Sequence, residues 1–120
     1  MVCLAGGAGT GARYLLGGWA VRTFGAGFPW GTLIVNVLGS FLMVIVMYLG
    51  TEKAVISPDL RVVLAAGVMG GFTTYSSFNF ESLRLIQQGM LGLAAMYIFA
   101  TVFGCLAAGV GGLLIARAIA

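Results

Sequence analysis

Residues 70–79 read Gly-Gly-Phe-Thr-Thr-Tyr-Ser-Ser-Phe-Asn and interrupt an otherwise apolar chain. They lie between Arg61 and Glu81, which a continuous helix would place about 30 Å apart, the thickness of one bilayer core. Non-helical backbone at that depth is tolerated only where it is buried in protein or lines a water-filled cavity. The stretch therefore predicts a broken membrane-spanning helix, and it is the best candidate for the functional part of the protein.

The composition of the chain is that of a membrane protein. Of 120 residues, 61% are hydrophobic and 8% are charged, whereas a soluble domain carries about a quarter charged residues. Histidine is absent, and Cys3 and Cys105 are too far apart in sequence to form a zinc-binding motif. The net charge of +3 is too small in so apolar a chain to indicate nucleic-acid binding. We predict a multi-pass membrane protein without imidazole catalysis or imidazole metal sites.

Four hydrophobic spans follow one another along the chain. They cover about residues 2–20, 32–49, 60–86 and 91–116. Glycine, proline and charged residues separate them, and Trp19 and Trp30 flank the first connection, where an interfacial aromatic belt is expected. No residues are left over for a soluble domain. The sequence predicts an all-α membrane protein in which residues 1–120 form a single domain of four transmembrane helices, the third of them broken.

Basic side chains are divided evenly between the two sides of the predicted bundle. Three belong to the side of the termini and the middle connection: Lys53, Arg61 and Arg117. Three belong to the opposite side: Arg22, Arg84 and, inside the first span, Arg13. Orientation normally follows an excess of Lys and Arg in cytoplasmic loops, so this balance predicts insertion in both orientations and an antiparallel homodimer. The alternative is one orientation, set by the first helix or by a partner chain.

Glycine pairs at small-xxx-small spacing predict close helix packing, because small residues let helix backbones approach each other in lipid. Three pairs have this spacing: Gly7 and Gly11, Gly67 and Gly71, Gly104 and Ala108.

Polar side chains inside the spans are costly and are expected to face the bundle or a water path. Tyr97, Thr101 and Cys105 recur at every fourth residue and form one stripe on the fourth helix. Asn36 and Ser40 form a similar pair on the second. Interhelical hydrogen bonding is the alternative explanation of these residues. Together with the break, the stripes predict a polar path across the bundle.

The residues available to such a path favour a small anion. No carboxylate lies in the first, second or fourth span, and Glu81 is near the end of the third, whereas a cation pathway normally places an acidic residue at mid-depth. The polar groups are amide and hydroxyl donors, with Arg13 nearby, and the ring edges of Tyr75 and Phe78 carry the positive end of the quadrupole. The same break frees backbone carbonyls, which are hard oxygen ligands suited to a buried alkali cation.

Three motifs occur in order along the chain. The first is Gly6, Gly9 and Arg13, the second is residues 31–36 (Gly-Thr-Leu-Ile-Val-Asn), and the third is residues 70–78 followed by Glu81. In these motifs, and in its length, four spans and charge balance, the whole chain resembles the Fluc/CrcB family of fluoride channels. The resemblance implies an antiparallel dual-topology homodimer with two fluoride pores and a central structural sodium ion, exporting toxic cytoplasmic fluoride passively.

The resemblance also implies roles for individual residues. The sodium ion would be held by the backbone carbonyls of Gly70 and Thr73 from both subunits, and Arg13 would serve the vestibule or helix packing. The anion pathway would contain an amide, two aromatic rings, two hydroxyls at the break and the stripe of the fourth helix: Asn36, Tyr75, Phe78, Ser76, Ser77, Tyr97, Thr101 and Cys105.

Three positions depart from the family pattern and keep alternatives open. Tyr75 stands where the family usually has Phe, and Cys105 and Gly109 stand where hydroxyl side chains are expected. These departures fit one half of a heteromeric fluoride channel, a single-pore or non-conducting subunit paired with a paralogue. A small multidrug-type antiporter shares the size and topology, but it would need a carboxylate in the first helix, and none is present.

Overall fold

The structure is a computed structural model that describes residues 1–119. Within these residues every regular element is helical and there is no strand, which confirms the prediction of an all-α protein. The described chain measures 48 × 29 × 23 Å, and its long axis matches the ~40–45 Å of a bilayer with its headgroup regions.

Three long helices and one interrupted helical stretch make up the chain. The long helices are α1 (Val2–Phe24), α2 (Trp30–Thr51) and α6 (Leu91–Ile119). The interrupted stretch consists of α3 (Pro58–Val62), a π-helical segment (Val63–Met69), α4 (Gly70–Phe72) and α5 (Tyr75–Gln87). Helices α2 and α6 are long and apolar enough to cross a membrane, with mean hydropathies of 2.3 and 2.2. Each predicted span lies inside one of these four helical stretches.

Local sequence explains where the helices begin and end. Gly25 follows α1 with φ +84°, a left-handed conformation that glycine adopts without steric cost. Ser57 caps α3 by accepting a hydrogen bond from the Leu60 N–H at 3.2 Å, and Pro58 occupies its first turn. Thr74 caps α5 in the same way, since its Oγ1 accepts from the Ser77 N–H at 3.2 Å.

The interruption lies at Thr73 and Thr74, both in extended conformation (ψ 158° and 112°). It falls inside the stretch that the sequence singled out. The seven residues before α4 are π-helical, a geometry that often accompanies functional sites.

Glycines bring α1 into backbone contact with the interrupted stretch. A Cβ at Gly67 would lie 2.7 Å from the Ala5 Cβ, and one at Gly71 would lie 3.0 Å from the Thr10 amide nitrogen. The predicted packing role of this pair is confirmed. The prediction for Gly7 and Gly11 is wrong within this chain, because a Cβ at either would meet nothing within 4 Å.

On α1, Gly9 takes the packing role instead. A Cβ there would meet the Val68 carbonyl oxygen and lie 3.0 Å from the Phe72 amide nitrogen. On α6, Gly104 contacts α2 as predicted, since a Cβ would lie 3.3 Å from a methyl group of Val37.

The buried core forms two clusters on either side of the interruption. One contains Val35, Met69 and Phe72, and joins α2 to the stretch before the break. The other contains Phe78, Leu85, Ala94 and Tyr97, with Phe28 and Leu33 packed against it, and joins α5 to α6. The polar residues of the break lie between the two clusters in sequence, so apolar packing holds both halves of the interrupted helix.

Candidate functional site

Asn36 on α2 holds the interruption by pairing with the backbone of Thr74. Its Nδ2 donates to the Thr74 carbonyl at 3.0 Å, and its Oδ1 accepts from the Thr74 N–H at 2.8 Å. One amide side chain therefore satisfies both backbone groups of a non-helical residue, which would otherwise be costly at membrane depth.

The two carbonyls predicted to bind sodium, those of Gly70 and Thr73, both lose the hydrogen bonds that a continuous helix would give them. In a continuous helix the Gly70 carbonyl would accept from the Thr74 N–H, and the Thr73 carbonyl from the Ser77 N–H. Here the Thr74 N–H is donated to Asn36 and the Ser77 N–H to Thr74 Oγ1. Both oxygens thus lose their helical donors. Gly70 is exposed and Thr73 is half-buried. The two carbonyl oxygens are therefore suitable ligands for a hard cation at the surface of the chain.

A third freed carbonyl, that of Gly71, is satisfied by α1. Arg13 donates from Nε to this oxygen at 3.0 Å, and Thr10 donates from its hydroxyl at 3.5 Å. The Arg13 side chain is half-buried and its guanidinium caps the broken helix. Arg13 therefore packs α1 against the break, and its positive charge lies next to the interruption.

Hydroxyl groups cluster where α5 begins. Thr74 Oγ1 donates to Ser77 Oγ at 3.1 Å and lies 3.3 Å from Ser76 Oγ. The first N–H groups of a helix have no intrahelical acceptor, and the helix end carries a partial positive charge. The start of α5 therefore concentrates hydrogen-bond donors and suits an anion.

Phe78, Tyr97 and Glu81 form one contact group between α5 and α6. The rings of Phe78 and Tyr97 have centroids 5.2 Å apart. Tyr97 is fully buried, and its hydroxyl donates to Glu81 Oε1 at 3.1 Å. The carboxylate of the third span thus has a hydrogen-bond donor from the fourth.

The rest of the α6 stripe continues from Tyr97. Thr101 is 6% exposed, and its Oγ1 is buried without a hydrogen-bond partner among the described residues. Cys105, one turn further, is half-buried. A buried hydroxyl without a partner is unusual in native proteins, so Thr101 has an unused hydrogen-bonding group inside the bundle.

Tyr75 contacts Phe78 but lies at the surface of the chain. Its ring is T-shaped against Phe78 at 5.6 Å, yet the residue is 79% exposed, whereas Phe78 is 8% exposed. Of the two aromatic residues predicted to face an anion, one is inside the chain and the other lies on its surface.

A groove of about 840 Å³ runs along the break between α1, α2 and α5. Thr74 and Ser77 line it together with Arg13, Arg22, Arg84 and Glu81. Three guanidinium groups against one carboxylate give this groove a net positive charge, which raises the local concentration of anions.

Two functional residues were missing from the predicted pathway. Thr74 contacts both serines of the hydroxyl cluster (Thr74, Ser76 and Ser77) and is the hydrogen-bond partner of Asn36. Its signal was its place just before an apolar helix, typical of a capping residue. Glu81 contacts Tyr97, and its signal was that an acidic residue inside a span requires a partner. Ser40 forms no side-chain hydrogen bond with the described residues, so its pairing with Asn36 in one stripe has no polar contact to support it.

Comparison with known proteins identifies the family of the chain. Residues 1–113 match the family model described as CrcB-like protein, Camphor Resistance (CrcB). A protein of Anaeromyxobacter dehalogenans named fluoride-specific ion channel FluC is 57% identical over 120 residues, covering 100% of this chain and 95% of that protein. Proteins of the same name from Sorangium cellulosum and Thermus thermophilus are 50% and 48% identical, covering 95% and 86% of this chain and 90% and 80% of their own lengths. The chain therefore belongs to the CrcB family.

Proposed function

We propose that this protein is a fluoride-selective ion channel that exports cytoplasmic fluoride passively. The observation that carries the proposal is the convergence of hydrogen-bond donors at the break, where Thr74 and Ser77 of the hydroxyl cluster line the positively charged groove. The relatives named as fluoride-specific ion channels support the choice of anion. A passive channel of this kind is not an enzyme.

The pathway runs from the groove past the break and along α6. Arg13 and the groove attract the anion, and Ser76 and Ser77 then offer hydroxyl donors. Asn36 has a second amide hydrogen beyond the one it gives to Thr74. Phe78 presents its ring edge, and the stripe of Tyr97, Thr101 and Cys105 completes the path. The unpartnered Thr101 hydroxyl supports this course.

The working assembly is an antiparallel dual-topology homodimer in the cell membrane, with residues 1–120 of each copy forming one four-helix transmembrane domain. The even distribution of basic residues supports insertion in both orientations. Tyr75 and Phe80 are 79% and 65% exposed beside Ser76, and a second copy would cover this partly polar face and bring Tyr75 into a pore. A heterodimer with a paralogue is the alternative, favoured by Cys105 and Gly109 in the pathway helix.

Flux measurements in liposomes test the channel proposal. Liposomes that contain the protein are expected to release fluoride at rates typical of channels and to retain chloride. The reason is that a path lined by hydroxyl and amide donors favours fluoride, the smaller anion. Protein-free liposomes are the control. Equal fluoride and chloride release would contradict selectivity, and activity that requires a paralogue would support the heteromer over the homodimer.

A structural sodium ion is proposed at the dimer axis, held by the Gly70 and Thr73 carbonyls of both copies. The loss of the helical donors to these oxygens supports it. In buffer with N-methylglucamine in place of sodium, the dimer is expected to dissociate at a lower temperature, as chemical cross-linking would measure, and to regain its stability when sodium is restored. Identical dimer stability with and without sodium would contradict this site.

A further inference from the structure

Four aromatic side chains form a cluster at the connection between α1 and α2. They are Trp19, Phe24, Phe28 and Trp30. Ring centroids lie 5.6 Å apart for Trp19 and Phe24, 5.5 Å for Phe24 and Trp30, and 4.8 Å for Phe28 and Trp30. Trp19, Phe24 and Trp30 are 45%, 50% and 39% exposed. We call this group the loop cluster.

Phe28 joins the loop cluster to the candidate pathway. Its ring lies 5.5 Å from that of Tyr97 at an interplanar angle of 87°, and Tyr97 in turn contacts Phe78. The other three rings of the cluster make no ring contact with the pathway residues among the described part of the chain. Phe28 is therefore the point at which the loop touches the pathway.

The connection is otherwise weakly attached to the bundle. Residues 21–27 are exposed, and Phe28 is the first half-buried residue after them. Gly25 and Gly27 have open space where a side chain would stand. Phe28 packs against the buried cluster of Phe78, Leu85, Ala94 and Tyr97, so its ring attaches this loop to the core.

The orientation of Tyr97 matters because its hydroxyl donates a hydrogen bond to Glu81. The Tyr97 side chain is fully buried, and its hydroxyl donates to one carboxylate oxygen of Glu81 at 3.1 Å. The orientation of its ring therefore depends on the side chains packed against it. Phe28 packs against it edge-to-face and Phe78 tilted at 55°. Edge-to-face pairs have a preferred geometry that an aliphatic side chain of similar size does not reproduce.

We propose that Phe28 is a positioning residue, which sets the orientation of Tyr97 and thereby of its hydrogen bond to Glu81. The loop cluster, at the expected level of the membrane interface, is in this way coupled to the pathway. The effect on ion flux rests on the proposed channel function, whereas the effect on Tyr97 does not.

Three variants separate positioning from simple packing. Phe28→Leu keeps apolar bulk but removes the ring, Phe28→Tyr keeps the ring, and Phe24→Leu makes the same change in a ring that does not touch Tyr97. Phe28→Leu is expected to reduce fluoride flux about two- to tenfold, the range that corresponds to the strength of one aromatic pair. Phe28→Tyr and Phe24→Leu are expected to stay near the parent rate, and all three to remain dimeric.

A spectroscopic measurement tests the positioning of Tyr97 without ion flux. The protein contains four tyrosines, and 3-fluorotyrosine labelling gives each a fluorine resonance, with Tyr97→Phe assigning that of Tyr97. Phe28→Leu is expected to shift the Tyr97 resonance and leave that of Tyr48, at the far end of α2, unchanged. Phe24→Leu is expected to shift neither.

The outcomes decide the two proposals separately. An unshifted Tyr97 resonance in Phe28→Leu would overturn the positioning role, as would flux in Phe28→Tyr as low as in Phe28→Leu. If the parent protein itself released no fluoride, the channel proposal would fail, and the resonance of Tyr97 would still show whether Phe28 positions it.

Discussion

Replacing Asn36 with alanine is expected to lower fluoride flux more than tenfold and to destabilise the protein. Asn36 pairs with both the N–H and the carbonyl of Thr74. Each backbone group left without a partner costs about 1–3 kcal/mol, so the loss of both partners should lower the unfolding free energy by about 2–6 kcal/mol. The freed Thr74 N–H could then return to the Gly70 carbonyl, closing the break. Liposome flux and thermal unfolding in detergent measure the two effects.

Two further variants separate the structural role of Asn36 from its role toward the anion. Asn36→Asp keeps an acceptor for the Thr74 N–H but removes the amide donor and places a carboxylate oxygen beside the Thr74 carbonyl, inside a span where a negative charge is costly, so flux should be lost and stability should also fall. Asn79→Ala removes an exposed amide that forms no hydrogen bond with the described residues, and its stability should match the parent. Parent-like flux in both Asn36 variants would refute the pathway assignment.

Replacing Gly9 with alanine is expected to lower the unfolding free energy by about 1–3 kcal/mol, the usual cost of overpacking a tight contact. The new methyl group would meet the Val68 carbonyl and lie 3.0 Å from the Phe72 amide nitrogen. These are backbone atoms, which cannot rotate away as a side chain would. Gly9→Val should be worse. Because α1 also caps the break through Arg13, moving α1 outward should reduce flux as well.

Gly11 supplies a matched control on the same helix. A Cβ there meets nothing within 4 Å, so Gly11→Ala is expected to leave stability unchanged or to raise it by up to about 1 kcal/mol through helix propensity. Thermal unfolding of the two variants side by side makes the comparison. Equal melting temperatures for Gly9→Ala and Gly11→Ala would mean that α1 does not pack on the interrupted stretch through Gly9.

Sequence patterns predicted the glycine contacts only in part. Gly67 and Gly71 follow the spacing rule and contact α1. On α1 the same rule selected Gly7 and Gly11, but the contact is made by Gly9, with Gly6 nearby. Spacing identifies residues that share a face of one helix, but it does not determine which face meets a neighbour. With glycine at positions 6, 7, 9 and 11, several faces of α1 carry small residues that would allow a close approach.

The candidate site shows the same division. The sequence itself pointed to residues 70–79 as the break, because paired glycines and four aliphatic hydroxyls inside an apolar span conflict with a continuous helix in lipid. The motifs then indicated Asn36 and Phe78, and a spacing of four residues indicated the stripe of Tyr97, Thr101 and Cys105 on α6. Their contacts were not readable, because Asn36 and Thr74 are 38 residues apart in sequence, and no local pattern records which backbone group a distant amide will satisfy.

The sequence alone predicted the all-α class, the approximate limits of the helices, a break within residues 70–79 and the family, since composition, hydrophobic length and motifs are local properties of the chain. Only the tertiary structure decided that Asn36 diverts the Thr74 N–H from the Gly70 carbonyl, that Arg13 caps Gly71, and that Tyr97 meets both Glu81 and Phe28. These contacts join helices far apart in sequence, so no local pattern in the chain records them. The sequence thus predicts the break, and the packing of the helices decides which polar groups at the break remain free to bind an ion.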